Sequence, residues 1–337
     1  MKKTLILFVS LLLMLGMIPA HAAGTVASGT CGDHLTWTLN ADGVLTVSGT
    51  GEMIKSNEWG TTYRKDIKEV IIEVNASSVD AHAFYDCPNL RKVTFPASLK
   101  EIGRYAFYRC VSLEEARIPN NVSVIGEYAF LGCTSLSHVE LPVSLAVVSD
   151  YVFDACINLT GITIPPGVIS IGNDAFYECY SLTSVEIPGR VGIIKINAFS
   201  KCKGLRQVLI PKSVGSIALY AFSGCGNLSD VYYTGTEEEW NRIEIDKSNE
   251  ELLNATIHFE WKGGLPKLLA PGDLDGDGQV LAGDARVALR ASAGLETLGA
   301  AQTKAADVNA DGRVLADDAR QILRFSAKLQ SSFEKKV

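Results

Sequence analysis

Apolar side chains recur with a period of 23 residues through the middle of the chain. One unit reads Ala-Phe-x-x-Cys-x-x-Leu-x-x-Val-x-Ile-Pro from Ala175 to Pro188. A fixed period of about 20–29 residues with Leu-x-x-apolar-x-apolar in each copy is typical of a solenoid of stacked repeats. One unit cannot bury its apolar side alone, so the pattern predicts a mainly β solenoid with parallel strands over residues 67–233. The cysteines that keep the step are Cys87, Cys110, Cys133, Cys156, Cys179, Cys202 and Cys225.

The repeated strings resemble the bacterial BspA-like leucine-rich repeat family, also called the Treponema-type repeat. The resemblance covers about residues 67–233 and implies a leucine-rich repeat solenoid. The flanking segments, residues 24–66 and 234–262, resemble those that often accompany these repeats, and we interpret them as an N-terminal β cap and a C-terminal cap. A solenoid needs bulky apolar groups to cover its two ends. The flanks contain all four tryptophans: Trp37, Trp59, Trp240 and Trp261.

Near the C-terminus the chain carries two copies of one Asp-rich loop. Each copy has oxygen-bearing side chains at loop positions one, three, five and twelve, with Gly at position six and Asp in place of the usual Glu at position twelve. Ca²⁺ takes roughly 6–8 oxygen ligands, so the loops predict two calcium sites. Two solvated Asp/Gly turns are the alternative. The oxygen-bearing residues are Asp273, Asp275, Asp277 and Asp284 in the first loop, and Asp307, Asn309, Asp311 and Asp318 in the second.

Each loop continues into a pattern typical of one helix, at residues 285–290 and 319–324, and we predict no entering helix before either loop. Two such units resemble the dockerin type I module, over residues 272–330. The resemblance implies a small all-α domain that folds around two calcium ions and binds a cohesin domain on a scaffoldin. It places the calcium ligands on the eight side chains named above and on the carbonyls of Gln279 and Arg313.

The same resemblance implies that either helix can contact the cohesin, because the two units are related by near-twofold symmetry. The alternative is that the leucines at the expected contact belong to the core of the module. Clostridial relatives often carry Ser-Thr just before the closing Asp, where this chain has Ala282-Gly283 and Ala316-Asp317, so the cohesin class stays open. The expected partner-binding residues are Leu289, Arg290, Leu323 and Arg324.

Residues 1–23 are typical of an export signal, since an apolar run from Leu5 to Ile18 is followed by an Ala20-His21-Ala22 cleavage pattern. The run is shorter than the ~20 residues that span a membrane. We therefore expect a secreted protein without membrane insertion, held near the cell surface through a scaffoldin. A formal net charge of −7 argues against a nucleic-acid partner. Residues 263–271 are interpreted as a linker and residues 331–337 as a tail.

The eight cysteines of an expected exported protein raise the question of disulfides. Coils stacked about 4.8 Å apart lie within the ~4.4–6.8 Å over which Cα atoms can be bridged. However, seven cysteines in one ladder cannot all pair with one another, and Cys packs well as a small apolar side chain. We therefore favour free, buried cysteines in the ladder. Cys31 stands apart from it and has no assigned partner.

The sequence shows no spacing typical of a catalytic triad, zinc protease or phosphate loop, so we expect no enzymatic activity. The sequence favours a secreted recognition or adhesion protein whose dockerin places the repeats in a cellulosome-like, polysaccharide-degrading complex. Alternatives are hydrolase activity, by association with such complexes, and inhibition or regulation of their enzymes. A row of aromatic side chains could bind a glycan or protein ligand, or could only brace neighbouring turns. It includes His82, Tyr105, Tyr128, Tyr151 and Tyr220.

Overall fold

The computed structural model describes residues 24–54, 57–276, 279–328 and 332–333. They form two units that divide between Gly263 and Gly264. The expected signal at residues 1–23 lies outside the described residues, as do Asp277, residues 329–331 and residues 334–337. The strands are β1 (Thr25–Thr30), β2 (Leu35–Asn40), β3 (Val44–Gly49), β4 (Glu69–Ile72), β5 (Ser78–Val79), β6 (Lys92–Thr94), β7 (Glu101–Ile102), β8 (Glu115–Arg117), β9 (Val124–Ile125), β10 (His138–Glu140), β11 (Val147–Val148), β12 (Ser170–Ile171), β13 (Ser184–Glu186), β14 (Ile193–Ile194), β15 (Gln207–Ile210), β16 (Ser216–Ile217), β17 (Asp230–Tyr233), β18 (Glu244–Ile245) and β19 (Thr256–His258).

Helices are short in the first unit and longer in the second. Those of the first unit are α1 (Asn57–Thr62), α2 (Glu237–Trp240) and α3 (Glu250–Leu253). Those of the second are α4 (Ala282–Ser292), α5 (Ala300–Ala306) and α6 (Ala316–Ser326). Among the described residues, none of these helices is long and apolar enough to cross a membrane.

The first unit begins with an antiparallel sheet in the order β1-β2-β3, and β3 then pairs in parallel with β4. Inward and outward side chains alternate along β2, where Leu35, Trp37 and Leu39 are buried. This period of two is that of a strand with one face on the core. The antiparallel hairpin therefore covers one end of the repeats, in the segment interpreted as the N-terminal cap.

Short parallel strands follow this sheet along the chain. They recur at two positions of the repeat. The longer strands include β13, β15 and β17, in which Val185 pairs with Val208 and Val208 with Val231. The two-residue strands include β12, β14 and β16, in which Ile171 pairs with Ile194 and Ile194 with Ile217. Every one of these pairs joins residues 23 positions apart. The predicted parallel solenoid of 23-residue repeats is therefore confirmed.

The segment interpreted as a C-terminal cap continues both kinds of strand. Strand β18 pairs in parallel with β16, and β19 pairs in parallel with β17. The two short helices α2 and α3 stand between these strands. Thr236 begins α2 by accepting a hydrogen bond from the Glu239 N–H, and the Glu239 carboxylate accepts one from the Thr236 N–H. The cap is thus one further, irregular turn of the solenoid.

One repeat has no strand among its described residues where the pattern predicts one, at residues 161–163. Gly161 stands there, where the neighbouring repeats have His138 and Ser184. Glycine inside a strand loses more conformational freedom on folding and has no side chain to pack, so it weakens strand structure. The link to the preceding repeat is a long hydrogen bond from the Thr160 N–H to the Ser137 carbonyl, at 3.5 Å.

A column of buried phenylalanines forms the centre of the first unit. Neighbouring rings stack nearly parallel with centroids 5.2–5.6 Å apart. Because adjacent repeats place the same side chain at the same position, each ring lies on the ring before it. The stacked residues are Phe84, Phe107, Phe130, Phe153, Phe176, Phe199 and Phe222, each fully buried.

Tryptophans belong to the core in both flanking segments, as expected of the caps. The Trp59 ring stacks on Phe84 at 5.8 Å, and its indole N–H donates to the Ala83 carbonyl at 2.6 Å. Trp37 packs edge-on against Trp59. At the other end, Trp240 is buried against Tyr233 with centroids 5.1 Å apart. The ends of the core are therefore covered by rings larger than those inside it.

Each repeat turns sharply around its Ala-Phe pair by placing two residues in the left-handed region, four positions apart. This region is unfavourable for residues other than glycine, because Cβ meets the backbone. The first position has φ between 53° and 62° at His82, Tyr105, Tyr128, Tyr151, Asp174, Asn197 and Tyr220. The second has φ between 54° and 76° at Asp86, Arg109, Gly132, Ala155, Glu178, Lys201 and Gly224.

The second unit is a small all-α domain, as predicted. Helices α4 and α6 follow the two Asp-rich loops and pack on each other. The expectation of no entering helix is wrong for the second loop, because α5 ends at Ala306, directly before Asp307. Its sequence, Ala-Ala-Gln-Thr-Lys-Ala-Ala, consists mainly of strong helix formers. The core of this unit consists of Leu274, Ala285, Ala288, Ala306, Val308, Ala319 and Ile322.

Candidate functional site

The first Asp-rich loop brings three carboxylates together. Asp273, Asp275 and Asp284 each offer an oxygen, and these oxygens lie within 4.8 Å of one another. Asp284, the third residue of α4, folds back over the loop. Its Oδ1 accepts from the Leu274 N–H at 2.7 Å, and its Oδ2 accepts from the Leu281 N–H at 2.8 Å. These hydrogen bonds fix the closing carboxylate beside the start of the loop.

The second loop repeats this arrangement at its closing residue. Asp318 Oδ1 accepts from the Asn309 N–H at 3.3 Å, and its Oδ2 accepts from the Leu315 N–H at 2.9 Å. The Asp307 carboxylate accepts from the N–H groups of Asp311 and Gly312, at 3.0 and 2.8 Å. Gly312, at the sixth loop position, has φ of 82°, which only glycine adopts at little cost.

The donor set fits a hard divalent cation. Carboxylate and amide oxygens are the ligands that Ca²⁺ prefers. Asp273, Asp284 and Asp318 are at most 4% exposed, and burial raises the pKa of Asp318. Buried carboxylates that converge repel one another, and a divalent cation would relieve that repulsion. Asp277 lies outside the described residues, so the structure gives no position for this expected ligand.

Two further expected ligands act through the backbone. The side chains of Gln279 and Arg313 are exposed, as expected of residues at the seventh position, where only the carbonyl oxygen is required. The structure therefore places seven of the eight expected side-chain ligands in two loops with matching hydrogen bonds. Their role as calcium ligands remains a prediction.

An apolar groove of about 440 Å³ lies between α4 and α6. Each residue that α4 contributes has its counterpart 34 positions later on α6, so the groove follows the internal twofold relation. Ala285 and Ala319 are its buried lining residues, and the leucine and arginine side chains that line it are exposed. The lining residues are Ala282, Ala285, Arg286 and Leu289 from α4, and Ala316, Ala319, Arg320 and Leu323 from α6.

The predicted partner-binding residues divide into two groups. Leu289 and Leu323 line the groove and are 51% and 49% exposed, so the alternative that they belong to the core is wrong. Arg290 and Arg324 are exposed but lie outside the groove lining, and Arg290 Nε is 3.0 Å from Glu296.

Sequence reasoning missed the arginines that line the groove, Arg286 and Arg320. Each stands three residues before a lining leucine. Residues three apart lie on the same face of a helix, and this spacing is the signal that could have identified them.

On the first unit, the aromatic row lies stacked on itself. Tyr105, Tyr128 and Tyr151 have successive centroids 4.6 Å apart, and His82 stacks on Tyr105 at 4.9 Å. The Arg104 guanidinium lies 5.0 Å from the Tyr105 centroid. The rings thus brace neighbouring turns, as one of the two interpretations expects, and the Tyr151 hydroxyl is hydrogen-bonded to Asp174.

An acidic group lies nearby on the same side of the repeats. Burial, together with the charges of Asp174 and Glu178, raises the pKa of Asp154 to about 7, although the charge of Lys201 lowers it. Lys201 Nζ forms an ion pair with Glu178 at 2.9 Å. This pairing satisfies Glu178 and leaves Asp154 as the carboxyl group most affected by its surroundings.

The repeat cysteines are buried with free thiols. From Cys110 onward, each thiol donates to the carbonyl of the phenylalanine 26 residues earlier, as Cys156 does to Phe130 at 3.3 Å. Burial raises the pKa of Cys133 to about 12, so its nucleophilic thiolate is scarce at neutral pH. Cys31 is likewise buried and forms no disulfide bond.

Comparison with known families finds two matches. Residues 60–179 and 132–244 match the BspA type leucine rich repeat region, in six copies. Residues 271–325 match the dockerin type I domain, and domains of that type typically bind calcium. A comparison with curated proteins finds no match.

Solved structures of bacterial leucine-rich repeat proteins are similar to the chain. A T. pallidum leucine rich repeat protein is 26% identical, over 59% of this chain and 78% of that one, with a TM-score of 0.38. A leucine-rich repeat protein from Eubacterium ventriosum is 21% identical, over 68% and 84%, with a TM-score of 0.40. A leucine rich cell surface protein from Faecalibacterium prausnitzii is 20% identical, over 67% and 100%, with a TM-score of 0.33.

Proposed function

The chain belongs to the BspA-type leucine-rich repeat family and carries a type I dockerin domain, and from this premise we propose that it is a secreted, non-catalytic recognition protein. Its dockerin binds a cohesin on a scaffoldin, in a calcium-dependent manner, with one ion in each Asp-rich loop. The repeats are thereby placed in a cellulosome-like complex that degrades polysaccharide. Residues 1–23 act as the export signal, and residues 263–271 link the repeats to the dockerin.

The observation that carries this proposal is the twofold-related groove between α4 and α6. Leu289 and Leu323 are half exposed at equivalent places on its two walls. A partner that buries either leucine gains apolar contact, and Arg286 or Arg320 beside it can form a bidentate hydrogen bond with an acidic rim. Because equivalent residues of α4 and α6 line its two sides, the groove can bind a cohesin in two orientations, which exchange the places of the two helices.

The test measures binding of the full chain to a panel of cohesin domains by calorimetry, with calcium and then with chelator. We expect Leu289→Asp or Leu323→Asp to weaken binding by only about threefold, because the other wall remains. The double change should weaken it by about 100-fold or more, which corresponds to ~2.7 kcal/mol. The matched control is Leu295→Asp, an exposed leucine outside the groove lining, which should leave binding unchanged.

Two outcomes would contradict parts of this proposal. If one single change removes all binding, the interface is asymmetric and uses one wall. If the double change binds as tightly as the parent, the groove is not the docking surface. The same panel, repeated with Arg290→Ala and Arg324→Ala, decides whether these two expected contacts take part.

The ligand of the repeats is proposed to be a glycan or a protein. The support is the half-buried aromatic row, whose stacked rings offer flat apolar area along successive turns. A chain that ends before residue 264, tested against polysaccharides and secreted proteins, identifies the ligand class. Release of sugars from any polysaccharide in that assay would favour the alternative of hydrolase activity, and slowed hydrolysis by neighbouring enzymes would favour the alternative of an inhibitor.

A further inference from the structure

The two Asp-rich loops superpose in sequence with a shift of 34 residues but differ in where their acidic groups stand. At the third position the first loop has Asp275 and the second has Asn309. At the eleventh position the first loop has Gly283 and the second has Asp317. The second loop has therefore lost a carboxylate at one place and gained one at another.

These two exchanged positions are in contact in the second loop. Asn309 Nδ2 donates to Asp317 Oδ2 at 3.0 Å, and Asn309 Oδ1 accepts from the Asp311 N–H at 2.9 Å. Asn309 is fully buried, whereas its counterpart Asp275 is exposed. The amide is thus held from both ends, with its oxygen on the side of the loop backbone and its nitrogen on the side of α6.

The orientation matters because an amide offers one oxygen to a cation, while a carboxylate offers two. If the Asn309 amide turned over, its NH₂ group would replace the oxygen and repel the ion. The Asp317 carboxylate excludes that orientation, since it accepts a hydrogen bond and cannot donate one when ionised. Asp275 in the first loop needs no such partner, and there the eleventh residue is glycine.

The exchange also conserves the number of carboxylates. The first loop carries Asp273, Asp275, Asp277 and Asp284, and the second carries Asp307, Asp311, Asp317 and Asp318, so each has four carboxylates. An anion in the outer shell of a metal site still attracts the ion through space. Outer partners that orient a ligand typically change metal affinity by about 10–100-fold.

We propose that Asp317 is a positioning residue of the second calcium loop. It fixes the Asn309 amide with its oxygen inward and restores the negative charge that the loop lacks at its third position. This inference rests on the proposed calcium-dependent function of the dockerin. A rival role for Asp317 is purely structural, since it is the second residue of α6, where an acidic side chain favours the helix N-terminus.

The test titrates calcium chloride into the full chain by calorimetry, for the parent, Asp317→Ala, Asn309→Asp and the double variant. We expect Asp317→Ala to lower the affinity of one site by ~10-fold, within the range of such outer partners. In the Asn309→Asp background the same change should cost less than about threefold, because a carboxylate needs no fixed orientation. Asp317→Asn should fall between, since it keeps an acceptor for Asn309 without the charge.

The first loop provides a reciprocal control. Asp275→Asn alone should lower the affinity of the other site, and adding Gly283→Asp should recover part of the loss. A Cβ at Gly283 meets no heavy atom within 4 Å, so the loop accommodates this side chain.

Three results of the calcium titration would contradict the proposal, each in a different way. If Asp317→Ala binds calcium like the parent, the positioning role is wrong. If it loses affinity equally in both backgrounds, Asp317 does not orient Asn309 and acts through its charge or on the helix alone. If the parent itself binds no calcium, the proposed function of the dockerin fails, and the positioning role fails with it.

Discussion

At the scale of single residues, each repeat cysteine has two tasks that suit a thiol. It fills a small place in the core, and from Cys110 onward it donates a weak hydrogen bond to a phenylalanine carbonyl in the repeat before, as Cys156 does to Phe130. The Phe130 carbonyl also accepts from the Cys133 N–H at 3.2 Å, so the thiol adds a second hydrogen bond to it. The cysteine ladder therefore stabilises the contact between successive repeats without a covalent bond.

We predict that thiol-specific alkylation of the native protein labels few of the eight cysteines, because they are buried and burial raises the pKa of thiols such as Cys133 to about 12. After denaturation without reductant, mass spectrometry should show nearly all eight alkylated. Peptides that stay cross-linked between neighbouring repeats under those conditions would contradict free thiols. Cys156→Ser should cost only about 1 kcal/mol, since serine can still donate to the Phe130 carbonyl.

Asp154 gives the repeats a pH dependence of known sign. Its pKa in the folded chain is about 7, against an ordinary value of 3.8, so between these values the folded state holds a proton that the unfolded state has lost. The contribution of Asp154 to the free energy of unfolding therefore falls as pH rises from about 4 to about 7. Above pH 7 this contribution is constant. Replacement by Asn removes the dependence. Thermal unfolding should show Asp154→Asn gaining more over the parent at pH 8 than at pH 5, and an equal gain at both would contradict the shift.

At the scale of elements, the 23-residue repeat places a phenylalanine at the same position in successive turns, and the rings form a continuous column. Each phenylalanine ring from Phe107 to Phe199 lies between two others at 5.2–5.6 Å and contacts aromatic neighbours on both faces. The sharp turn around each Ala-Phe pair needs two left-handed residues, which costs about 1–3 kcal/mol for each strained residue. The stacked side chains offset that strain, and glycine at Gly132 and Gly224 avoids it at the second position.

Phe153, in the middle of the column, should be the most costly position to truncate. We expect Phe153→Ala to lower the free energy of unfolding by about 3–5 kcal/mol, because it removes a buried ring and leaves a cavity between two others. Val143→Ala, at a side chain that is 64% exposed, is the matched control and should change it by less than about 0.5 kcal/mol. Urea denaturation measures both, and a loss below about 1 kcal/mol for Phe153→Ala would show that the column does not support the repeats.

At the scale of the whole molecule, the two units have different sources of stability. The first has one core that runs from the β1–β3 sheet to Trp240. Among its described residues, the second has a core of seven buried side chains, four of them alanine, beside converging carboxylates. A small core rarely supplies more than about 3–5 kcal/mol, so we expect the proposed calcium ions to contribute to the stability of the second unit.

We predict that calcium removal unfolds the second unit and spares the first. Scanning calorimetry of the full chain should show two transitions with calcium, and chelator should lower one of them by about 10 °C or more while shifting the other by less than about 2 °C. Helical circular dichroism should fall in parallel. An unchanged helix signal in chelator would contradict the dependence on calcium, and a shift of both transitions would show that the ion also stabilises the repeats.

The sequence by itself determined the solenoid, its 23-residue register and the two loop–helix units, because each repeat must bury the same apolar positions and each loop must place oxygen atoms at fixed spacings. Periodicity fixes which side of a strand is buried, so the phenylalanine and cysteine columns follow directly from it. The type of the C-terminal domain was predicted from two loops with matching Asp and Gly residues, and one such loop alone would not have been enough.

The tertiary structure alone decided what depends on neighbours in space. It placed α5 before the second loop, removed the strand at Gly161, and put tyrosines such as Tyr128 in the left-handed region, where local preference argues against them. It brought Arg286 and Arg320 to the groove and joined Asn309 to Asp317. Helix packing and side-chain hydrogen bonds determine these contacts. They act between residues that a linear pattern treats as separate, and that is why the sequence could not supply them.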